Sequence, residues 1–101
     1  MTAETQEEIK TTEKREFDFI KGEFTPEDAI EIITHMISKK IGFHETRSFN
    51  RLLRVGSKDE ASLKRAEELK SINESIKEFI RQAEVDNKLL RIESKISIEF
   101  I

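Results

Sequence analysis

The residues of this sequence that are best suited to bind a ligand are basic and lie close together. Six lysines and arginines stand between residues 39 and 58, with Glu45 as the single acid among them: Lys39, Lys40, Arg47, Arg51, Arg54 and Lys58. The whole chain carries a net charge of −3, so this local excess of positive charge is its clearest electrostatic asymmetry. A helix passing through residues 47, 51 and 54 would place three guanidinium groups on one face, where they could contact successive phosphates.

Two interpretations of this basic stretch remain open. In the first, it binds nucleic acid, and Phe43 or Phe49 stacks on a base. In the second, its arginines pair with the acids that precede it, and the two phenylalanines are core residues. The candidate internal partners are Glu27, Asp28 and Glu31.

Arg65 is a second candidate because it lies one turn before Leu69 on the apolar stripe of a predicted long helix. A charge on a buried face must be paired or must reach solvent. An ion pair at the end of the core satisfies that need, and so does an anion site formed with Arg51 or Arg54. The residues predicted to bind an anion or a macromolecular partner are therefore Arg47, Arg51, Arg54, Lys58 and Arg65.

Metal binding and catalysis find weaker support. Glu31 and His35 have the i, i+4 spacing of two metal ligands on a helix, and His44 could add a third. However, His35 projects away from the apolar stripe, which favours an exposed residue beside Glu31. Ser48 and Ser57 are explained as helix caps, and three glycines with no cysteine provide neither a phosphate loop nor a thiol. We therefore predict no catalytic residue, no metal, no cofactor and no enzyme activity.

The length and composition predict one small domain. Residues 1–14 are polar around a lone Ile9, which predicts a disordered tail before a single domain at 15–101. The amino terminus lacks the apolar core of a signal peptide, and no apolar run is long enough to span a membrane. A cytoplasmic location without membrane contact is the resulting expectation.

The first half of the domain predicts a strand followed by a helix. Residues 15–24 alternate in strand period, with a bulge or strand end at Gly22. Thr25 and Pro26 have the N-cap and first-turn signature of a helix. That helix is predicted to end near Ile41, with Gly42 as its left-handed terminator, and a short helix is predicted to start at Ser48.

The second half predicts a long helix and a strand. Ser57 and Glu60 have the spacing of a capping box, so the long helix is expected from 57 to 83. Its apolar stripe consists of Leu69, Ile72, Ile76, Phe79, Ile80 and Ala83. A turn at Asp86 and Asn87 then leads into an alternating strand from Lys88 to Ile101. The apolar residues of this strand, including Ile96 and Ile98, are expected in the core, where a charge would unfold the protein.

Together these elements predict an α+β fold of order β-α-(short α)-α-β. A helical hairpin would pack on one face of an antiparallel sheet. Two strands alone are marginally stable, so a homodimer is expected to complete a four-stranded sheet. A heptad pattern also admits an intermolecular coiled coil of the long helix, although the hairpin is favoured.

The sequence therefore favours a small, non-enzymatic, dimeric interaction domain that binds another macromolecule. A protein is the favoured partner. The alternative is a nucleic-acid-binding protein that uses the stretch from Arg47 to Lys58 together with Arg65.

Overall fold

A computed structural model of the protein describes residues 13–101 and contains four elements. In chain order they are β1 (Lys14–Phe24), α1 (Pro26–Val55), α2 (Glu60–Val85) and β2 (Leu90–Glu99). The two strands form one antiparallel sheet and the two helices form a hairpin. The predicted α+β class and element order are thus confirmed. The predicted tail falls outside the described residues up to position 12, while Lys14 already belongs to β1.

The chain divides into two compact units. One contains the two strands up to Glu23 and from Arg91 onward, and the other spans Phe24–Leu90 with both helices.

The start of α1 follows the sequence signals, but its end does not. Thr25 is the N-cap and its hydroxyl accepts a hydrogen bond from the Asp28 N–H at 3.1 Å. The prediction that Gly42 ends the helix is wrong, because α1 passes through Gly42 unbroken, has 30 residues in all and includes the predicted short helix. The terminator is Gly56, with φ 79° and its N–H donating to the Leu52 carbonyl. Glycine is favoured there since an L side chain is strained at that φ.

The start of α2 also differs from the prediction. The N-cap is Asp59, whose side chain accepts from the Ser62 N–H at 3.2 Å and from the Ser62 hydroxyl at 3.1 Å. The capping box predicted for Ser57 and Glu60 is therefore wrong, since the helix begins two residues later. At the other end, the Lys88 N–H donates to the Ala83 carbonyl, and Asn87 has φ 55°. The predicted turn at Asp86 and Asn87 is confirmed.

The core of the hairpin is narrow and partly polar. Among residues 13–101, five apolar residues are buried: Ala29, Ile37, Ala66, Leu69 and Ile80. Three polar residues are buried with them: Ser48, Ser62 and Asn73. In α2 the buried positions 62, 66, 69, 73 and 80, with half-buried 76, follow alternating steps of four and three, as in a coiled-coil seam.

This seam corrects the predicted apolar stripe of the long helix. Leu69 and Ile80 are buried, but Ile72 is 43% exposed and Phe79 is 72% exposed. The predicted stripe is centred on large apolar residues, whereas the two helices also contact each other through small and polar residues. Close approach of two helices favours small side chains, so Ala66 and Ser62 occupy the contact and Phe79 does not.

Two hydrogen bonds mark the two ends of the antiparallel sheet. At one end the Phe100 N–H donates to the Glu13 carbonyl at 2.8 Å, and at the other Arg91 bonds to the Glu23 carboxylate at 3.1 Å. β1 continues through Gly22 to Phe24, so the strand end considered at Gly22 is wrong, and the bulge stays a prediction.

Candidate functional site

Three of the five basic residues predicted to bind a partner lie on one continuous helix. Arg47, Arg51 and Arg54 all belong to α1, and Lys58 lies in the connection that follows it. Because α1 is unbroken, Lys39 and Lys40 belong to the same helix as the three arginines. We refer to these five helical residues as the basic face: Lys39, Lys40, Arg47, Arg51 and Arg54.

The basic face lies on the exposed side of α1, beside the hairpin seam. At 100° per residue its five members fall within an arc of about 120°. The buried positions Ile37 and Ser48 lie about 40° and 60° beyond the edge of this arc at Arg51, while the buried Ala29 projects within it ten residues before Lys39. All five basic residues are exposed. The face therefore presents its charges to solvent along about 22 Å of helix.

Apolar and hydrogen-bonding side chains are interleaved with the charges. A shallow groove along α1 is lined by residues that include Phe43, Thr46, Asn50 and Leu53. Phe43 is 55% exposed and Leu53 is 68% exposed, so neither is a core residue. The Lys40 ammonium lies 5.8 Å from the centre of the Phe43 ring, within the range of a cation–π contact.

Asp59 is the acid that meets the basic face. Arg47 Nε lies 3.5 Å from Asp59 Oδ2, and the Asp59 N–H donates to the Ser48 hydroxyl at 3.1 Å. The hydrogen bond from the Ser62 backbone holds the pKa of Asp59 below its usual value, and Arg47 and Arg51 lower this pKa further through their charge. Asp59 thus joins the start of α2 to the last turns of α1.

The internal ion pair that the structure shows for these arginines differs from the pairs predicted from sequence. Arg47 pairs with Asp59 and not with Glu27, Asp28 or Glu31. Across residues 13–101, no carboxylate lies within 4 Å of the charged nitrogens of the other members of the basic face. Most of the positive charge on α1 is therefore available to a ligand.

Arg65 is not part of the buried stripe. Its side chain is 49% exposed and bonds to Glu68 of its own helix at 3.1 Å. The expectation that Arg65 lies at the centre of the apolar stripe is therefore wrong, because the seam is centred one residue later, at Ala66. A surface pair of this i, i+3 kind stabilises a helix only weakly.

The two histidines occupy different environments. His35 is exposed, whereas both ring nitrogens of His44 are buried without a hydrogen-bond partner and its ring meets Phe43 edge-on at 5.3 Å. In the part of the chain that the structure describes, no three histidine or acidic side chains are grouped closely enough to hold a metal ion.

A second candidate surface lies on the sheet. Five large apolar side chains of the two strands are 41% to 59% exposed: Phe17, Phe19, Ile96, Ile98 and Phe100. We refer to this group as the apolar strand patch. Ile96 and Ile98 were expected in the core, where a charge would unfold the protein; their exposure corrects that expectation for the single chain.

One end of the apolar strand patch forms a small depression. It has a volume of about 370 Å³ and is lined by Glu13, Arg15, Phe17, Ile98 and Phe100. Arg15 and Glu13 form an ion pair at 3.0 Å on its rim. Sequence reasoning recognised the alternation of these strands but assigned their apolar residues to the core, because alternation alone does not say what covers a face.

Sequence reasoning also missed Asn50 and Leu53 as members of the α1 surface. Both could have been found from their spacing, since 39, 43, 46, 50 and 53 repeat at three and four residues. The prediction that Gly42 ends the helix concealed that repeat.

Comparisons with protein-family models, with curated proteins and with solved structures found no match to this chain. Among the described residues, no helix has the length and apolar character needed to cross a membrane.

Proposed function

We propose that this protein is a non-enzymatic interaction domain whose first partner is a second copy of itself. The observation that carries the proposal is the apolar strand patch. Each phenylalanine side chain has about 150–250 Å² that can be buried, so three half-exposed phenylalanines and two isoleucines leave several hundred Å² of apolar surface in water. A contiguous patch of that size is typical of an interaction surface.

The proposed contact is made by the face of the sheet. A two-stranded sheet is marginal by itself, and packing a second layer on its apolar face supplies the missing burial. Two copies related by a two-fold axis can place the same patch on both sides of the contact. This arrangement differs from the edge-to-edge pairing expected from sequence, because the face is where the exposed apolar residues are.

Two further features favour a second copy as the occupant. The rim of the patch carries one positive and one negative group, Arg15 and Glu13, so it complements itself under two-fold symmetry. The alternate strand positions are charged and of both signs, including Glu16, Asp18 and Lys95, as expected for a face that stays in water.

The test is the mass in solution, measured by light scattering. The unmodified protein is expected to be a dimer at both low and high salt, because apolar burial is not screened by ions. Ile98→Asp is expected to give a monomer, because it places an unpaired charge in the contact. Its helical circular dichroism should persist, since the exposed Ile98 is not a core residue of the hairpin.

The matched control is Lys95→Gln, which changes a residue of the same strand outside the patch. This variant should remain a dimer. A monomeric unmodified protein, or an Ile98→Asp variant that remains a dimer, would contradict the proposal.

A further inference from the structure

We infer that the basic face of α1 binds duplex DNA. The observation behind this inference is that five exposed positive groups share one face of an uninterrupted helix, while the whole chain has a net charge of −3. Binding to phosphates depends on the local arrangement of cations at the contact, and counterion release supplies its driving force. A negative net charge elsewhere in the chain does not remove that local term.

The dimensions of the face suit the major groove. An α-helix with its side chains is about 10–12 Å wide, and the major groove of B-form DNA is about 12 Å wide. The basic face extends over about 22 Å, which is two-thirds of a turn of the duplex at about 34 Å. Lysines and arginines along the edges of such a helix reach the flanking phosphates.

The residues between the charges suit base edges. Thr46 and Asn50 lie within the arc of the basic face or beside it, and both line the groove along α1. An asparagine amide can bond to adenine in the major groove, and threonine and apolar groups can contact bases and the thymine methyl. Phe43 and Leu53 supply exposed apolar groups on the same surface.

The composition of the basic face argues against an acidic protein or a membrane as its ligand. A membrane-bound helix needs a broad apolar face, but only two large apolar side chains line the groove. A protein contact of ordinary size is built around a central apolar anchor with a polar rim. Here the charges run the whole length of the surface, as phosphates do along DNA.

Asp59 sets the geometry of one end of the face. Its contact with Arg47 at 3.5 Å is long for an ion pair, and the Arg47 side chain is 64% exposed. Arg47 can therefore exchange this carboxylate for a phosphate without leaving the surface. Arg51 and Arg54 need no such exchange, because neither contacts an acid within the described residues.

The experiment is a titration of a fluorescein-labelled duplex DNA, followed by fluorescence anisotropy at several salt concentrations. Four or five phosphate contacts predict a slope of log K against log [salt] of about −4. The affinity should therefore fall by about 10² to 10³-fold between about 50 and about 200 mM salt.

The test variant is Arg51→Gln with Arg54→Gln, which keeps helix-forming side chains and removes two charges. Its slope should become shallower by about two, and its affinity at low salt should fall by at least tenfold. The matched control is Lys64→Gln with Arg81→Gln, which removes two exposed charges from α2. The control should bind like the unmodified protein.

Absence of binding at low salt, or an unchanged slope in the Arg51 and Arg54 double variant with its helical circular dichroism intact, would overturn the inference. Tighter binding to an acidic polypeptide than to DNA would also overturn it. The inference does not depend on dimerisation, because a monomeric Ile98→Asp variant retains the basic face and should still bind DNA with the same loss on removing Arg51 and Arg54.

Discussion

At the scale of single residues, Asp59 combines several roles at one corner of the hairpin. Its carboxylate caps α2 through Ser62 and meets Arg47, while its backbone N–H bonds to the buried Ser48. These contacts fix the corner of the hairpin at the point where the chain reverses. Because Asp59 makes these contacts, α2 begins after Asp59 and not after the nearby Ser57.

Replacing Asp59 by alanine is expected to lower the melting temperature by a few degrees at pH 7, because the first turn of α2 loses its cap. The hydrogen bond from the Ser62 backbone lowers the pKa of Asp59 below the ordinary value of an aspartate carboxyl. The stabilisation is therefore complete above that value and is lost as the pH falls through the lower folded pKa. Melting curves of both proteins between pH 7 and strongly acidic pH measure this difference.

Asp59→Asn is the matched variant for that experiment. Asparagine caps helices as well as aspartate does but has no titrating proton in this range. The asparagine variant should melt close to the unmodified protein at pH 7 and should lose the acid-dependent part of the difference. An alanine variant as stable as the unmodified protein would show that Asp59 does not cap α2 in solution.

At the scale of elements, the polar side chains within the helical seam are the main departure from a simple apolar core. Asn73 is 8% exposed and its Oδ1 atom is buried without a partner, and both ring nitrogens of His44 are also buried and unpartnered. An unsatisfied buried polar group costs about 1–3 kcal/mol. Polar residues in a seam can repay this cost by allowing only one register of the two helices.

Asn73→Leu is accordingly expected to stabilise the protein by about 1–2 kcal/mol, because it removes the unsatisfied oxygen and adds apolar burial. Chemical denaturation followed by circular dichroism measures the gain. The control is Ser71→Leu, an exposed substitution on the same helix that should change stability very little. A destabilised Asn73→Leu variant would mean that the amide has a partner that holds the seam together.

The same seam explains which elements could be predicted from sequence. The signals at Thr25, Pro26 and Asn87 are local, since each depends on backbone geometry within a few residues, and all three were read correctly. The continuation of α1 through Gly42 depends on α2 instead. A Cβ at Gly42 would meet no atom within 4 Å beyond its own stretch of helix, so packing does not require a glycine there, and Ile37 and Ser48 on either side of it are buried.

A second contact between the helices, an ion pair outside the seam, also could not be predicted from local sequence signals. Lys70 of α2 bonds to Glu45 of α1 at 3.1 Å and to Glu67 of its own helix at 3.2 Å. The hydrogen bond from Lys70 to Glu45, followed by that to Glu67, raises the pKa of Lys70 above its usual value. Residues 45 and 70 come together only because of the register of the hairpin, and this register cannot be predicted from the sequence of either helix alone.

At the scale of the whole molecule, the sequence predicts the basic face better than it predicts the apolar strand patch. The basic residues were recognised from charge alone, because an excess of one sign over twenty residues is visible without a structure. Their common face depended on a continuous helix and became evident only with it. The apolar strand patch was assigned to the core, because a single sequence does not distinguish a face covered by its own chain from one covered by a partner.

A proposed dimer makes the stability of the molecule depend on its concentration. If burial of the apolar strand patch stabilises the folded state, association shifts the unfolding equilibrium by mass action. The melting temperature of the unmodified protein should therefore rise steadily over a hundredfold increase in protein concentration. Circular dichroism at the helical band is the suitable probe, because the chain has no tryptophan or tyrosine.

The Ile98→Asp variant separates association from intrinsic stability. It should melt at a lower temperature than the unmodified protein, and its melting temperature should not depend on concentration. The narrow hairpin core, with five buried apolar residues, provides the stability that remains. If the unmodified protein melts at the same temperature at every concentration, then the exposed strands are not stabilised by a second copy, and another partner must cover the patch formed by Phe17, Phe19, Ile96, Ile98 and Phe100.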